Sequence, residues 1–172
     1  MKLAMVNSTV RGEIDRLLSE TAAYLQAEGA QLSGVVKVLD ENAAPDHTCD
    51  MDLIVLPDGP TIRITQSLGE GSTSCRLNPA AIVEAVGAVE QKDASAADMF
   101  ILNKFGPQES EGRGFRGAIS TALENGIPVL VGVGNPCRDA FDTFAGGMAD
   151  VLPADEQVIR DWCRDAMGKN PR

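Results

Sequence analysis

The loop between the first predicted strand and the first predicted helix holds residue types that could bind a small anion. It reads Asn7-Ser8-Thr9-Val10-Arg11-Gly12-Glu13-Ile14. A phosphate-binding loop of the form G-x-x-x-x-G-K-[ST] needs glycines so that backbone N–H groups curl round the anion, a lysine for the terminal phosphates and a hydroxyl for Mg²⁺. Only Gly12 fits, because Asn7, Glu13 and Ile14 occupy the other defining positions. A glutamate in place of the lysine repels a triphosphate, so we predict that ATP hydrolysis by the usual route is lost.

A second loop with candidate binding residues follows the apolar run Met99–Leu102. We expect this run to be a central parallel strand that ends in a loop over Asn103–Gly114, and functional loops usually lie at that end of a strand. The carboxyl ends of parallel strands meet at one edge of a sheet, which would bring the two loops together. The predicted site for a small anion or a nucleotide consists of Ser8, Thr9, Arg11, Gly12, Asn103, Lys104 and Arg113, with Glu109 beside it. These residues do not identify a cofactor.

One histidine and two cysteines form a second candidate site, for a metal ion. His47 and Cys49 make a His-x-Cys pair, and Cys75 is a distant third ligand for zinc or copper. Asp50 or Asp52 could supply the fourth ligand. The simpler interpretation is that both cysteines are small buried hydrophobes and that the histidine is a solvated loop residue. We favour the simpler interpretation, because this spacing is far less specific than paired CxxC motifs.

The elements that must position these residues alternate between strand and helix patterns. Apolar runs predict buried strands, and apolar residues at three-and-four spacing predict helices. The predicted strands are 2–6, 32–39, 99–102 and 128–133. The first predicted helix has apolar residues from Ile14 to Leu25 and ends near Gly29, and the others begin at Asn78-Pro79, cover 115–123 and lie around 158–163. In the helix after Pro79, the expected apolar face is Ile82, Val83, Val86 and Val89. Asp52–Leu56 and Thr61–Thr65 flank a Pro-Asp-Gly-Pro turn and predict an inserted β-hairpin.

The composition limits the partners that the chain can have. Its 172 residues and 44% hydrophobic content suit one core, so we predict a single domain over 1–167 with a tail at 168–172. The net charge of -10 repels nucleic acid and anionic membranes. No apolar run approaches the roughly 18 residues that cross a bilayer, and the polar residues after Met1–Val6 do not fit a signal peptide. We therefore predict a cytoplasmic protein, and a protein partner or a second copy of the chain stays open.

The second loop also carries a resemblance to a known family. The segments concerned are Phe100–Glu109, Phe115 with the helix after it, and Gly126–Val131. They resemble the Walker B region of small P-loop nucleoside triphosphatases, in which an apolar strand runs into D-E-[IV]-G-x-M-E and a phenylalanine follows. The matching residues are Gly106, Pro107, Glu109 and Phe115, whereas Asn103 and Lys104 replace the metal-binding aspartate and the catalytic glutamate. The resemblance implies a three-layer α/β P-loop NTPase-like fold with a mainly parallel sheet and the inserted β-hairpin.

Four further segments together resemble an uncharacterised bacterial family. They are His47–Leu53, Arg63–Gly69, Cys75–Leu77 and Asn103–Gly106. Members of that family are described as nucleoside-triphosphatase-like and are often encoded beside molybdenum-transport or molybdenum-enzyme genes. The resemblance implies a role in metal or oxyanion physiology.

Three functions follow as alternatives. The one we expect is a degenerate P-loop domain that binds a small anion, a nucleotide or a protein partner and does not hydrolyse nucleoside triphosphates efficiently. The second is an active nucleoside triphosphatase with a rearranged site, in which Glu109 or Glu13 activates the water. The third is a metal-binding accessory protein that uses His47, Cys49 and Cys75.

Overall fold

The computed structural model describes residues 1–39, 51–67 and 75–168. Within these ranges the chain forms nine strands and six α-helices. In chain order they are β1 (Leu3–Val6), α1 (Glu13–Ala27), β2 (Leu32–Lys37), β3 (Asp52–Val55), β4 (Thr61–Arg63), β5 (Thr65–Ser67), β6 (Cys75–Leu77), α2 (Pro79–Glu90), β7 (Met99–Phe105), α3 (Pro107–Ser110), α4 (Arg116–Glu124), β8 (Val129–Val133), α5 (Arg138–Ala145), β9 (Asp150–Leu152) and α6 (Glu156–Met167). Short 3₁₀ turns at Ala94–Ala96 and Asn135–Cys137 lead into β7 and α5.

Seven strands form one twisted sheet in the order β4-β3-β2-β7-β8-β1-β9. The five strands from β2 to β9 in that order run parallel. At the other edge β3 and β4 are antiparallel to their neighbours, and the proline-rich turn joins them. The predicted hairpin is therefore confirmed. The strands β5 and β6 pair separately as an antiparallel ribbon.

Helices cover both faces of this sheet, because its central strands are apolar on both sides. All residues of β1 and β8 are buried, and so are all residues of β7 except Lys104. One face packs against α1 and α6, and the other packs against α2, α4 and α5. The three-layer α/β architecture with a mainly parallel sheet is thus confirmed. Among the described helices, none combines the length and the apolar character that crossing a membrane requires.

The helix α2 begins as predicted but buries a different stripe. The side chain of Asn78 accepts hydrogen bonds from the backbone N–H groups of Ala80 and Ala81, which caps the helix start at Pro79. The prediction that Val83 belongs to the apolar face is wrong, since 71% of Val83 is exposed while only 6% of Ile82 is. The buried stripe is Ala81, Ile82, Ala85 and Val89. Two of these four buried residues are alanines, and Val83 lies outside the stripe.

The segment predicted as one loop over 103–114 is more ordered than its sequence indicated. The strand β7 continues to Phe105, and Pro107–Ser110 forms the short helix α3. The helix α5 and the edge strand β9 also have no counterpart in the sequence prediction. Strand β9 extends the parallel sheet past β1. The parallel pairing of β1, β8 and β7 places the carboxyl ends of these strands at one edge.

Candidate functional site

The first loop, Asn7–Gly12, leaves the carboxyl end of β1 and is held by hydrogen bonds within the loop and to β8. The side-chain Nδ2 of Asn7 donates to the carbonyl oxygen of Val133 at 2.7 Å, which ties the loop to the end of β8. The hydroxyl of Ser8 accepts from the N–H of Val10 at 3.0 Å and donates to the Glu13 carboxylate. Gly12 has φ +77° at the start of α1, a conformation that a residue with a side chain rarely adopts.

The charge at the start of α1 is acidic. Glu13 and Asp15 lie in the first turn, where carboxylates interact favourably with the helix dipole. Asp15 pairs with Lys37 at 3.2 Å, so its charge is partly offset. Glu13 has no basic partner among the described residues, and it takes the Ser8 hydroxyl instead. In a loop that hydrolyses nucleoside triphosphates, this position holds a lysine. Here it holds the Glu13 carboxylate, which is hydrogen-bonded to Ser8 of the same loop.

Two basic side chains lie at the same edge without an ion-pair partner in the described part of the chain, namely Arg11 and Lys104. Both residues are exposed. A Cβ atom added to Gly132 would lie 3.7 Å from the Cβ of Lys104. It would also contact the side chains of Ile14 and Leu18 of α1. Lys104 is therefore on the α1 side of the sheet, as is the first loop. No hydrogen bond joins Lys104 to that loop within the residues described.

The second segment, Gly106–Phe115, is held by the buried carboxylate of Glu109, which is only 4% exposed. Its Oε2 accepts from the N–H of Gly106 at 2.9 Å, and its Oε1 accepts from the N–H of Phe115 at 3.0 Å. Gly114 has φ +58°, and a Cβ there would lie 2.2 Å from the same Oε1. Both oxygens that a general base would need are engaged in backbone hydrogen bonds. This geometry favours a structural role for Glu109.

The remaining predicted anion ligands are spread around the edge. Thr9 is exposed, and Arg113 is exposed and paired with Glu111. Asn103, near the end of β7, is 5% exposed, and its Nδ2 has no hydrogen-bond partner among the described residues. Such a buried, unpaired donor costs about 1–3 kcal/mol. The structure thus brings the first loop and Lys104 to one side of the sheet, pairs Arg113 with Glu111 and buries Asn103.

Asn103 also borders a cavity of about 250 Å³, which we call the β7 cavity. Most of its wall is apolar, and the residues come from the hairpin, the ribbon, α2, β7, α3 and the residue before α4. They are Met51, Leu53, Ile64, Leu77, Ile82, Asn103, Lys104, Gly106, Pro107, Gln108, Glu109 and Phe115. Sequence reasoning missed this cavity, because no local spacing links residues that are drawn from so many elements.

The predicted metal site falls mostly outside the described residues. His47 and Cys49 lie there, and Cys75 is the first residue of β6. Within the ranges that the structure describes, no three His, Cys, Asp or Glu residues are grouped so as to hold a metal ion. The prediction of a site at His47, Cys49 and Cys75 therefore stays a prediction. Of the other two cysteines, Cys163 is buried, and desolvation raises the pKa of its thiol to about 12, which makes it a poor nucleophile.

A protein family of unknown function, DUF2478, matches residues 3–162. The chain belongs to this family. A relative of the DUF2478 chain, the molybdenum import ATP-binding protein ModC 2 of Bradyrhizobium diazoefficiens, is 34% identical over 173 residues. The match covers 99% of the chain but 19% of the relative, so the chain spans about a fifth of that protein's length.

Two solved structures share the fold of this DUF2478 chain. A human cancer-related nucleoside triphosphatase has a TM-score of 0.64 at 12% identity, over 98% of this chain and 96% of that one. THEP1 from the hyperthermophile Aquifex aeolicus has a TM-score of 0.61 at 12% identity, with both chains covered completely. The fold is therefore that of small P-loop nucleoside triphosphatases, as the sequence resemblance implied.

Proposed function

We propose that this chain is a P-loop-type binding domain that does not hydrolyse nucleoside triphosphates and that binds a small oxyanion at the first loop. The observation that carries the proposal is the contact between Glu13 and Ser8. In a hydrolysing loop the residue at the position of Glu13 is a lysine that neutralises the terminal phosphates. A carboxylate there opposes the high charge of a triphosphate with Mg²⁺, whereas a smaller anion can be held further out on the loop.

The second segment supports the loss of hydrolysis. Metal-assisted phosphoryl transfer needs acidic side chains that reach the metal and the water. Asn103 occupies the end of β7 with a neutral amide, and the Glu109 carboxylate is bound to two backbone N–H groups. Neither residue offers a charged oxygen to a metal ion without disrupting the local structure.

Arg11 and Lys104 are the side chains that favour an anion at this edge. A protein with a net charge of -10 repels anions at long range, so binding must come from local cations. Both residues are exposed, and neither has an ion-pair partner in the described ranges. Their charges are therefore available to a ligand, and the start of α1 adds N–H groups to the site.

The relative with a molybdenum import function supports the choice of oxyanion. That protein is named for ATP binding, and it is about five times as long as the region that matches this chain. We infer that the domain represented by this chain works beside an ATP-driven importer, where it binds molybdate or a related tetrahedral oxyanion. The ATP-binding step would belong to the importer.

Isothermal titration with molybdate, sulfate, phosphate and ATP tests the proposal. We expect molybdate to bind saturably, and we expect Arg11→Ala to weaken it about tenfold, equivalent to about 1.4 kcal/mol. Arg16→Ala is the matched control, because Arg16 is an exposed arginine on α1 that is paired with Glu20. Absence of heat from every oxyanion with the folded protein would remove the proposal. Mg²⁺-dependent turnover of a nucleoside triphosphate that is lost in Glu109→Gln would replace it with the hydrolase.

A further inference from the structure

A second cavity lies between α2 and α4, over the amino ends of β2 and β7, and we call it the Ser33 cavity. Its volume is about 220 Å³. The lining residues that matter here are Ser33, Val89, Glu90, Lys92, Phe100 and Ala118. Ser33 and Phe100 are each the second residue of their strand, whereas the first loop follows the carboxyl end of β1. The cavity and the first loop are therefore at opposite ends of the parallel strands.

The inner wall of the Ser33 cavity is apolar apart from one hydroxyl. Val89, Phe100 and Ala118 belong to the core on the α2 side of the sheet, and each is no more than 6% exposed. Val35, two residues beyond Ser33 on β2, belongs to the same core, so the side chain of Ser33 points to that face. Ser33 is 7% exposed, and its hydroxyl has no hydrogen-bond partner among the described residues. A ligand in this cavity must therefore have a largely apolar body.

The size of the cavity limits that body to about one ring. An apolar cavity of about 150 Å³ holds a benzene molecule. The Ser33 cavity is somewhat larger and opens to solvent at the end of α2, where Glu90 and Lys92 lie. A six-membered ring with one short polar substituent would fill it, with the substituent at the opening.

The charge that is available at the opening is negative. The Lys92 ammonium has three N–H donors. It donates to the carbonyl oxygens of Leu56 and Gly59 at 3.1 and 3.2 Å and to the Asp58 carboxylate at 2.9 Å. Its donors are therefore used, and Asp58 offsets its charge. Glu90 is exposed and has no ion-pair partner in the part of the chain that the structure describes.

The end of α2 reinforces this negative charge. Glu90 is the last residue of the helix, and the last turn contains no basic residue. The negative end of the helix dipole is thus not compensated by a side chain of that turn, and a cation there would be stabilised. The net charge of -10 also attracts cations at long range.

We propose that the Ser33 cavity binds a small organic amine with an apolar body. The body packs against Val89, Phe100 and Ala118, and the ammonium group lies at the opening, where it donates to the Glu90 carboxylate. The proposal does not depend on the oxyanion at the first loop, because no residue of that loop or of α1 lines this cavity.

Methyl-detected NMR on the full chain, with benzylamine as the ligand, tests the proposal. Benzylamine is protonated at neutral pH, and we expect saturable shifts of the methyl groups of Val89 and Ala118. Benzyl alcohol has the same ring without the charge, so it should bind about fivefold more weakly. Molybdate should instead shift amide signals of the first loop, so the two proposals succeed or fail at different nuclei. Absence of saturable methyl shifts with benzylamine would overturn the proposal.

A pair of charge variants tests the ammonium position. Glu90→Gln should weaken benzylamine about fivefold and leave benzyl alcohol unchanged. Glu84→Gln is the matched control, because Glu84 is an exposed carboxylate on the same helix that does not line the cavity, and this variant should bind benzylamine as the parent chain does. Equal affinity of Glu90→Gln and the parent chain, or an equal loss in both variants, contradicts the proposal.

A third variant tests the position of the apolar body. Ala118→Leu fills the cavity from α4 and should abolish the benzylamine shifts at Val89, with circular dichroism as the check that the variant is folded. Unaltered binding in the folded variant would place the ligand elsewhere and overturn the proposal. If Ala118→Leu does not fold, the comparison of Glu90→Gln with Glu84→Gln decides.

Discussion

The two segments that leave the carboxyl edge of the sheet differ in how they are held. The first loop is fastened by an asparagine and a serine, it has exposed residues at Thr9, Val10 and Arg11, and its acid lies at the helix start. The second segment closes around the buried carboxylate of Glu109. Each segment thus contains an acidic side chain in a different environment. Glu13 lies at the start of α1, and Glu109 accepts hydrogen bonds from two backbone N–H groups. We expect the first loop to rearrange around a ligand more readily than the second segment, because its hydrogen bonds are exposed or half-buried whereas Glu109 is buried.

The largest expected effect is on stability, and it follows from removing the Glu109 carboxylate that holds the second segment. Glu109→Ala removes two charge-assisted hydrogen bonds and leaves the N–H groups of Gly106 and Phe115 without their acceptor. We expect the free energy of unfolding to fall by about 3 kcal/mol or more, because each bond to a charged group contributes roughly 1.5–3 kcal/mol. Urea denaturation followed by circular dichroism measures the change.

Glu111→Ala is the control for this prediction. Glu111 lies two residues further on, is exposed and pairs with Arg113 among the described residues, so its removal should change stability by less than about 0.5 kcal/mol. If Glu109→Ala is as stable as the parent chain, Glu109 does not have the structural role assigned to it. Its carboxylate would then again be a candidate general base.

The difference between the two segments also marks how far the sequence could predict the site. The strands, the hairpin and the start of α2 follow from local patterns, namely apolar runs, a proline turn and the Asn78-Pro79 cap. The sequence makes Glu109 a catalytic candidate, because no residue type reveals that its partners are backbone N–H groups. The same limit applies to the β7 cavity, whose wall is assembled only by tertiary packing.

The fold elements that were missed share a physical cause. The strand β9 has three residues and a single paired edge, against β1, so its sequence carries little periodic signal. The helix α5 buries only Phe141 and Ala145, and its remaining residues are polar or partly exposed. The predicted apolar face of α2 wrongly included Val83. The buried face contains alanines, which carry a weak apolar signal in the sequence.

The second expected effect is on ligand affinity at the first loop. Glu13→Lys replaces the carboxylate at the start of α1 with the cation that a phosphate-binding loop carries. We expect the affinity for phosphate and sulfate to rise about tenfold, or about 1.4 kcal/mol, at a cost to the helix of roughly 0.3–1 kcal/mol. Glu20→Lys makes the same change in net charge further along α1, so titration of both variants separates the local effect from the overall charge. If the two variants gain equally, Glu13 does not face the anion.

The smallest expected effect concerns the contact that closes the first loop. Ser8→Ala removes the exposed bond from the N–H of Val10 at 3.0 Å and the half-buried bond to Glu13. We expect the free energy of unfolding to fall by about 0.5–1 kcal/mol, since water can solvate the freed N–H of Val10 and the half-exposed Glu13 carboxylate. Thr9→Ala is the matched control, because its exposed hydroxyl has no partner in the described residues, and it should change stability by less than about 0.5 kcal/mol. A loss in Ser8→Ala as large as that in Glu109→Ala would mean that the first loop is as fixed as the second, and a ligand could then bind there only without rearrangement of the loop.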